Sequence, residues 1–113
     1  MLPRNHRLTR PADFKRVYAR GRSWAQRVVV LYRAPNELPV SRFGISVSRR
    51  IGSAVTRNRT KRRLREVLRP LCEQVTAGYD VILIARQGIV DAEHAVVEQS
   101  VRQLLLQAGM LCE

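Results

Sequence analysis

The sequence predicts an α+β protein, a single-domain α-β sandwich over residues 1–113 with helices laid on one small mixed sheet in the order α-β-β-α-β-α. Three observations carry that expectation. Residues 28–33 and 42–48 alternate or cluster β-branched and apolar side chains as strands do, and residues 79–85 form an almost unbroken apolar run. Residues 54–71 and 97–108 place their apolar side chains at helical spacing. The helical stretch 54–69 lies between two strands, which makes a β-α-β crossover.

Taken in order, residues 1–8 form an extended basic lead-in, with His6 on the surface. Thr9 is placed to cap a first helix with Pro11 in its opening turn, and Gly21 to stop it after about Arg20. Phe14, Val17 and Tyr18 share a face of that helix, flanked by Lys15, Arg16 and Arg20. The chain has only two Phe, three Tyr and one Trp. Two of six rings on one short basic helix point to a ring-lined groove with cations at its rim, as suits unpaired RNA; ordinary core packing is the alternative.

Trp24 is either core or part of a short extra strand near 22–27. Val28 to Arg33 is a clear strand, with Tyr32 on the face of Val28 and Val30. Pro35, Asn36 and Pro39 mark a loop. In the next strand Phe43, Ile45 and Val47 face one way and Gly44, Ser46 and Ser48 the other. That small-residue face either accommodates a strand of nucleic acid or lies under a closely packed helix.

Ser53 then caps the helix on which the chain is organised. Thr60, Leu64, Val67, Leu68 and Leu71 form its apolar stripe. Asn58, Arg59, Lys61, Arg62, Arg65 and Arg69 form a broad arc opposite, and Arg57 projects past the edge of the core. Nine of the 21 residues from Arg49 to Arg69 are basic, with Glu66 the one acid. A solvated helix face mixes signs, whereas Arg57, Lys61, Arg65 and Arg69 repel one another at i,i+4 spacing. Such a helix gains from a polyanion, and its apolar stripe argues against a flexible targeting signal. Pro70 ends it near Arg69, with a further turn to Ala77. After the buried strand 79–85, Asp91 caps the last helix, whose stripe is Val97, Val101, Leu104, Leu105 and Ala108.

The formal net charge is +12. Residues 1–72 carry 19 basic and 3 acidic side chains, residues 73–113 only 2 basic and 6 acidic, so one surface meets the polyanion. Nineteen of the 21 cations are Arg, whose forks pair phosphate and stack on bases, which favours nucleic acid over a membrane. Apolar runs are too short for a membrane span or signal-peptide core, and the two separated cysteines, Cys72 and Cys112, read as reduced thiols of a cytoplasmic protein. No paired carboxylates, Ser/His/Asp set, metal-ligand spacing or Gly-rich phosphate loop appears, and His6 and His94 are far apart. The expectation is a protein that binds nucleic acid and, alone, does not cut it: no catalytic residue, no metal site and no cofactor of its own.

The run Ile45-Ser46-Val47-Ser48-Arg49-Arg50-Ile51-Gly52, then Ala54-Val55, then Arg57-Asn58-Arg59-Thr60-Lys61-Arg62, resembles the signature of the bacterial ribonuclease P protein component. Arg7-Leu8, Asp13-Phe14, Val17-Tyr18, Gly21, Val30-Leu31-Tyr32, Gly78-Tyr79-Asp80 and Ala85-Arg86 match in order, so the resemblance covers nearly the whole chain. It implies the small subunit of a ribonucleoprotein endonuclease that removes the 5′ leader of precursor tRNA, with the RNA subunit and its magnesium ions as catalyst. It implies that Arg49, Arg50, Arg57, Asn58, Arg59, Lys61, Arg62 and Arg65 meet the RNA subunit in a 1:1 complex, and that Phe14, Tyr18, Tyr32 and Ser46 line a cleft for the single-stranded leader. It also implies a ribosomal-protein-like fold with a left-handed crossover, against the right hand of ~98% of such units. Tyr18 stands where Phe is also common, and Pro70 interrupts what is often a longer helix. A purely structural ribosomal-type protein, and a self-contained nuclease or DNA-binding regulator, are the readings from other classes.

Overall fold

The computed structural model describes residues 4–111, so Cys112 and Glu113 and the start of the lead-in lie outside the described residues. Three α-helices and four strands follow one another as α1 (Pro11–Arg20), β1 (Arg22–Ala25), β2 (Val29–Pro35), β3 (Arg42–Ser46), α2 (Ala54–Leu68), β4 (Tyr79–Ala85) and α3 (His94–Gln107). The expected α+β order holds, with Trp24 in a short strand of its own. The sheet runs β1-β2-β4-β3. β1 and β4 each pair antiparallel with β2, and β3 pairs parallel with β4, as a β3-α2-β4 crossover requires.

The two sheet faces bury different cores. Val29, Leu31, Phe43, Val81, Leu83 and Ala85 point to α2 and α3, where they meet Leu64, Val67, Leu68, Val97, Val101, Leu104 and Leu105. The opposite face offers Ala34 and Ile82, with Tyr32 and Ile84, to Val17 and Phe14 of α1 and to Leu8. β4 is thus buried on both sides, which is why its apolar run does not alternate. The predicted stripes of the second and third helices are the buried ones.

Several local expectations change. Arg10, not Thr9, precedes α1, with no side-chain cap. α3 begins at His94 after Glu93, three residues beyond Asp91, and also lacks a side-chain cap. Ser53 does cap α2, accepting from the Thr56 N–H. The lead-in is not extended throughout: residues Arg4–His6 make a 3₁₀ turn. His6 is buried, its Nδ1–H donating to the Ser41 carbonyl at 2.8 Å. The cause is tertiary, because Arg7 bridges Phe43 in parallel and draws the lead-in onto β3. β3 stops at Ser46, and Arg49–Ile51 form a second 3₁₀ turn. Cys72 is buried, its Sγ–H donating to the Arg69 carbonyl, and burial pushes its thiol pKa up.

Gly21 ends α1 by closeness, not by a left-handed turn. Its φ is −82°, and a Cβ there would sit 2.4 Å from the Val17 carbonyl oxygen and 2.8 Å from that of Arg33.

Asp80 is the one fully buried acid among the described residues, and the apolar reading of its strand gave no hint of its partners. Arg42 grips it with two hydrogen bonds, Nε to Oδ1 at 2.9 Å and Nη2 to Oδ2 at 2.7 Å. Asn36 donates to Oδ1 at 2.9 Å, and Arg16 from α1 donates to Oδ2. Burial opposes ionisation, but the bonds from Arg42 and Asn36 and the charges of Arg42 and Arg16 outweigh it and hold the carboxyl below its usual range. The ionised group therefore stabilises the fold fully above roughly pH 4, the unfolded value, and the contribution is lost as pH falls through the lower folded value. Asp80→Asn is expected to cost about 3 kcal/mol in urea unfolding at pH 7, the lower end for breaking a buried pair because both guanidiniums keep some solvent. It is also expected to flatten the acid limb of stability; an unchanged limb counts against this account.

Candidate nucleic-acid interface

Two surfaces meet beside β3. The first is the α1 face of the sheet. Phe14 and Tyr18, one helical turn apart, hang over the sheet, and Tyr18 meets Tyr32 of β2 edge to face with centroids 5.2 Å apart. Tyr18 is exposed while Phe14 and Tyr32 are half-buried. Ser46 is half-buried on the same sheet face as Gly44. The three rings and Ser46 thus share one face, and its outer ring is free to stack on an incoming base.

The small-residue face of β3 proves to be two things. At Gly44 a helix packs closely: a Cβ there would sit 2.4 Å from Phe14 Cζ. At Ser46 the face lies beyond Phe14. Gly44 therefore seats the ring, and the ring closes one end of the cleft.

The second surface is α2 with the turn before it. Arg49, Arg50, Asn58, Arg59, Arg62 and Arg65 are exposed, and Arg57 and Lys61 half-buried. No acid lies in the first turn of α2. The Nε of Arg57 is buried without a partner, the one such side-chain atom among the described residues. Arg63, on the same helix, is taken up by the scaffold instead: it donates to the Ile89 and Ala92 carbonyls at 3.1 and 2.7 Å and ties α2 to the segment before α3. Gln87 donates to the Arg50 carbonyl and steadies the 3₁₀ turn.

The two surfaces are continuous. A groove of about 390 Å³ runs from Arg7, Thr9 and Phe14 past Gly44 and Ile45 to Lys61 and Arg65. Two residues of the basic set therefore line the groove that Phe14 closes. A second recess of about 560 Å³ lies on the other flank of α1, among Arg10, Arg16, Arg20 and Arg42, but Asp13 and Glu37 share it and Asp80 engages two of its cations.

Sequence reasoning left Trp24 undecided and did not reach Asp80. The guanidiniums of Arg22 and Arg33, partners across β1 and β2, lie 5.3 and 5.2 Å from the Trp24 ring, and Arg33 also covers Tyr79 at 4.5 Å. Arg33 donates to the Ala108 carbonyl, so this cation belongs to the scaffold. Among the described residues no group of three or more His, Cys, Asp or Glu is placed to hold a metal ion. His94 lies 3.9 Å from Glu98, one turn on along α3. Among the described residues no helix is long and apolar enough to cross a membrane.

Fold and surface define a class: a small α+β protein that sets an arginine-rich helix beside an aromatic cleft on a four-stranded sheet. Residues 2–109 match the family model described as Ribonuclease P. The chain belongs to this family, as a relative of the ribonuclease P protein component of bacteria, and so to tRNA processing. It is 43% identical over 99 residues to that component from Caldanaerobacter subterraneus subsp. tengcongensis, covering 88% of this chain and 85% of the relative. It is 42% identical over 109 residues to the one from Herpetosiphon aurantiacus, covering 96% and 89%. Among solved structures, a Staphylococcus aureus RNase P protein mutant with defective mRNA degradation activity superimposes with a TM-score of 0.88 at 35% identity, covering 95% of this chain and 91% of that one. The Thermotoga maritima RNase P protein in complex with 1-(4-fluorophenyl)-2-thiourea does so at 0.81 and 30%, covering 88% and 96%.

Gly44→Ala is expected to displace the Phe14 ring and cost about 1–3 kcal/mol, the scale of overpacking. Phe14→Leu in the same chain should recover much of that loss in thermal unfolding. Additive losses would mean that Gly44 and Phe14 are not coupled.

Proposed function

We propose that this protein is the accessory subunit of a tRNA-processing endoribonuclease whose RNA subunit breaks the bond. The basic face of α2 and the preceding turn, from Arg49 and Arg50 through Arg57, Asn58, Arg59 and Arg62, grips that RNA in a 1:1 complex. The cleft of Phe14, Tyr18, Tyr32 and Ser46 takes the single-stranded 5′ leader of precursor tRNA. The observation that carries the reading is the continuity of the two surfaces, an acid-poor cationic helix running into a ring-lined cleft. Family membership supports it.

The division of labour follows from the chemistry of the groups. Guanidiniums bind phosphate bidentately and fix where the folded RNA sits relative to the cleft. Rings stack on any base, which makes leader binding tolerant of sequence and widens the range of precursors accepted. Proton transfer and metal-ion chemistry belong in this reading to the RNA, with the magnesium ions such hydrolysis uses. The protein's share is position: it holds an unpaired leader beside the RNA that cuts it, in the cytoplasm.

Arg59→Ala is expected to weaken assembly with the RNA subunit about tenfold, the scale of one charge-assisted hydrogen bond; an unchanged assembly constant removes Arg59 from the interface. Tyr18→Ala should lower the affinity of the assembled enzyme for precursor tRNA by roughly 1–3 kcal/mol while leaving mature tRNA unaffected. Equal binding of precursor and mature tRNA by the unaltered enzyme would favour a ribosomal-type structural protein. Leader affinity should fall with salt at a slope of about −0.7 per phosphate contact in log–log form.

A further inference from the structure

β3 is an edge strand, and only its first half is covered. The lead-in bridges it at Arg7 and Phe43, with the Leu8 N–H donating to the Phe43 carbonyl at 2.9 Å. The chain then turns away to start α1 at Pro11. Along a strand the N–H and C=O of alternate residues point to the same side. Phe43 turns its carbonyl outward, so Ile45 turns its N–H and C=O outward too. No hydrogen bond from another segment reaches them among the described residues. Ile45 lines the 390 Å³ groove together with Lys61, Arg65 and Phe14, and no acid lines it.

An unpaired donor and acceptor side by side match the Watson–Crick edge of one unpaired base. A ring at the end of the groove supports such a base, and two cations beside it suit its phosphate. A groove of this volume is at the small end of ligand clefts and has room for one nucleotide. The edge pattern alone also fits a peptide strand, but Lys61 and Arg65, with no acid along the groove, favour an anionic chain.

We propose that the open edge of β3 is a nucleotide subsite in which the main-chain N–H and C=O of Ile45 read the Watson–Crick edge of one unpaired leader base while Lys61 and Arg65 hold its phosphate. It rests on the leader-binding reading above and adds a contact that no side-chain substitution at position 45 removes. It also moves Lys61 and Arg65 from the RNA-subunit face to the substrate.

The test uses the enzyme assembled from the full chain and its RNA subunit, with precursor tRNA and mature tRNA as probes. Replacing Ile45 by its α-hydroxy acid turns one amide into an ester and deletes the N–H alone. Precursor affinity should drop roughly threefold to tenfold, the scale of one hydrogen bond, with mature tRNA unchanged. An abasic nucleotide walked along the leader should reproduce that drop at a single position, and the two changes together should cost no more than the larger alone. The ester also weakens the Gly44 carbonyl, so Lys61→Gln serves as a second variant that leaves the ladder intact. It should lower precursor affinity and reduce the salt slope by about 0.7, one phosphate. Full precursor preference in both variants overturns the subsite while the leader-binding reading stands. A loss of RNA-subunit assembly on Lys61→Gln, with leader affinity intact, also overturns it. No preference for precursor in the unaltered enzyme overturns both.

Discussion

The carboxylate of Asp80 is the constraint on which the rest depends. It joins α1 through Arg16, the edge strand β3 through Arg42 and the β2–β3 loop through Asn36. α1 buries only one fully shielded side chain, Val17, against the sheet. A ten-residue helix with so small an apolar contact is poorly oriented by burial alone. Charge-assisted hydrogen bonds supply direction that burial lacks, because they fail at the wrong angle. Arg16 also donates to the Pro35 carbonyl, which fixes the helix along β2 as well as across it. With α1 held, Phe14 falls on Gly44 and Tyr18 on Tyr32, and the cleft exists.

The opposite layer solves a different problem. α2 carries like charges at i,i+4 spacing, which weakens it as an isolated helix. Its Leu64, Val67 and Leu68 lock into the sheet and α3, and Arg63 is drawn off to backbone carbonyls near Ile89. Packing from behind therefore keeps the cations displayed. The positive field costs the free protein some stability and is relieved when an anion arrives, which couples folding strength to binding. Arg57, with a buried nitrogen that lacks an acceptor, is a local form of the same strain.

How much was legible follows from what a pattern can report. Period 3.6 and period 2 state which side of an element avoids water, so the stripes of α2 and α3 and the alternation of β3 could be read residue by residue. The cationic arc of α2 was legible for the same reason, since it is the complement of an apolar stripe. Caps were read less well: Ser53 caps α2, but Thr9 and Asp91 do not cap their helices, because a cap depends on where the backbone leaves the previous segment. His6, polar and near the start of the chain, reads as a surface residue, and its burial depends on the lead-in lying along β3.

By itself the sequence determined the element order, the cores of the two main helices, the acid-poor basic surface and, through its Arg-Asn-Arg signature, the family. Only the tertiary structure decided the strand order β1-β2-β4-β3, the burial of Asp80 among two cations and an amide from three segments, the seating of Phe14 on Gly44 and the open edge at Ile45. The reason is physical. Polarity patterns record whether a side chain meets water, and that is a local property. Which partner it meets instead depends on contacts between residues far apart in the chain, and those come into being only when the sheet assembles.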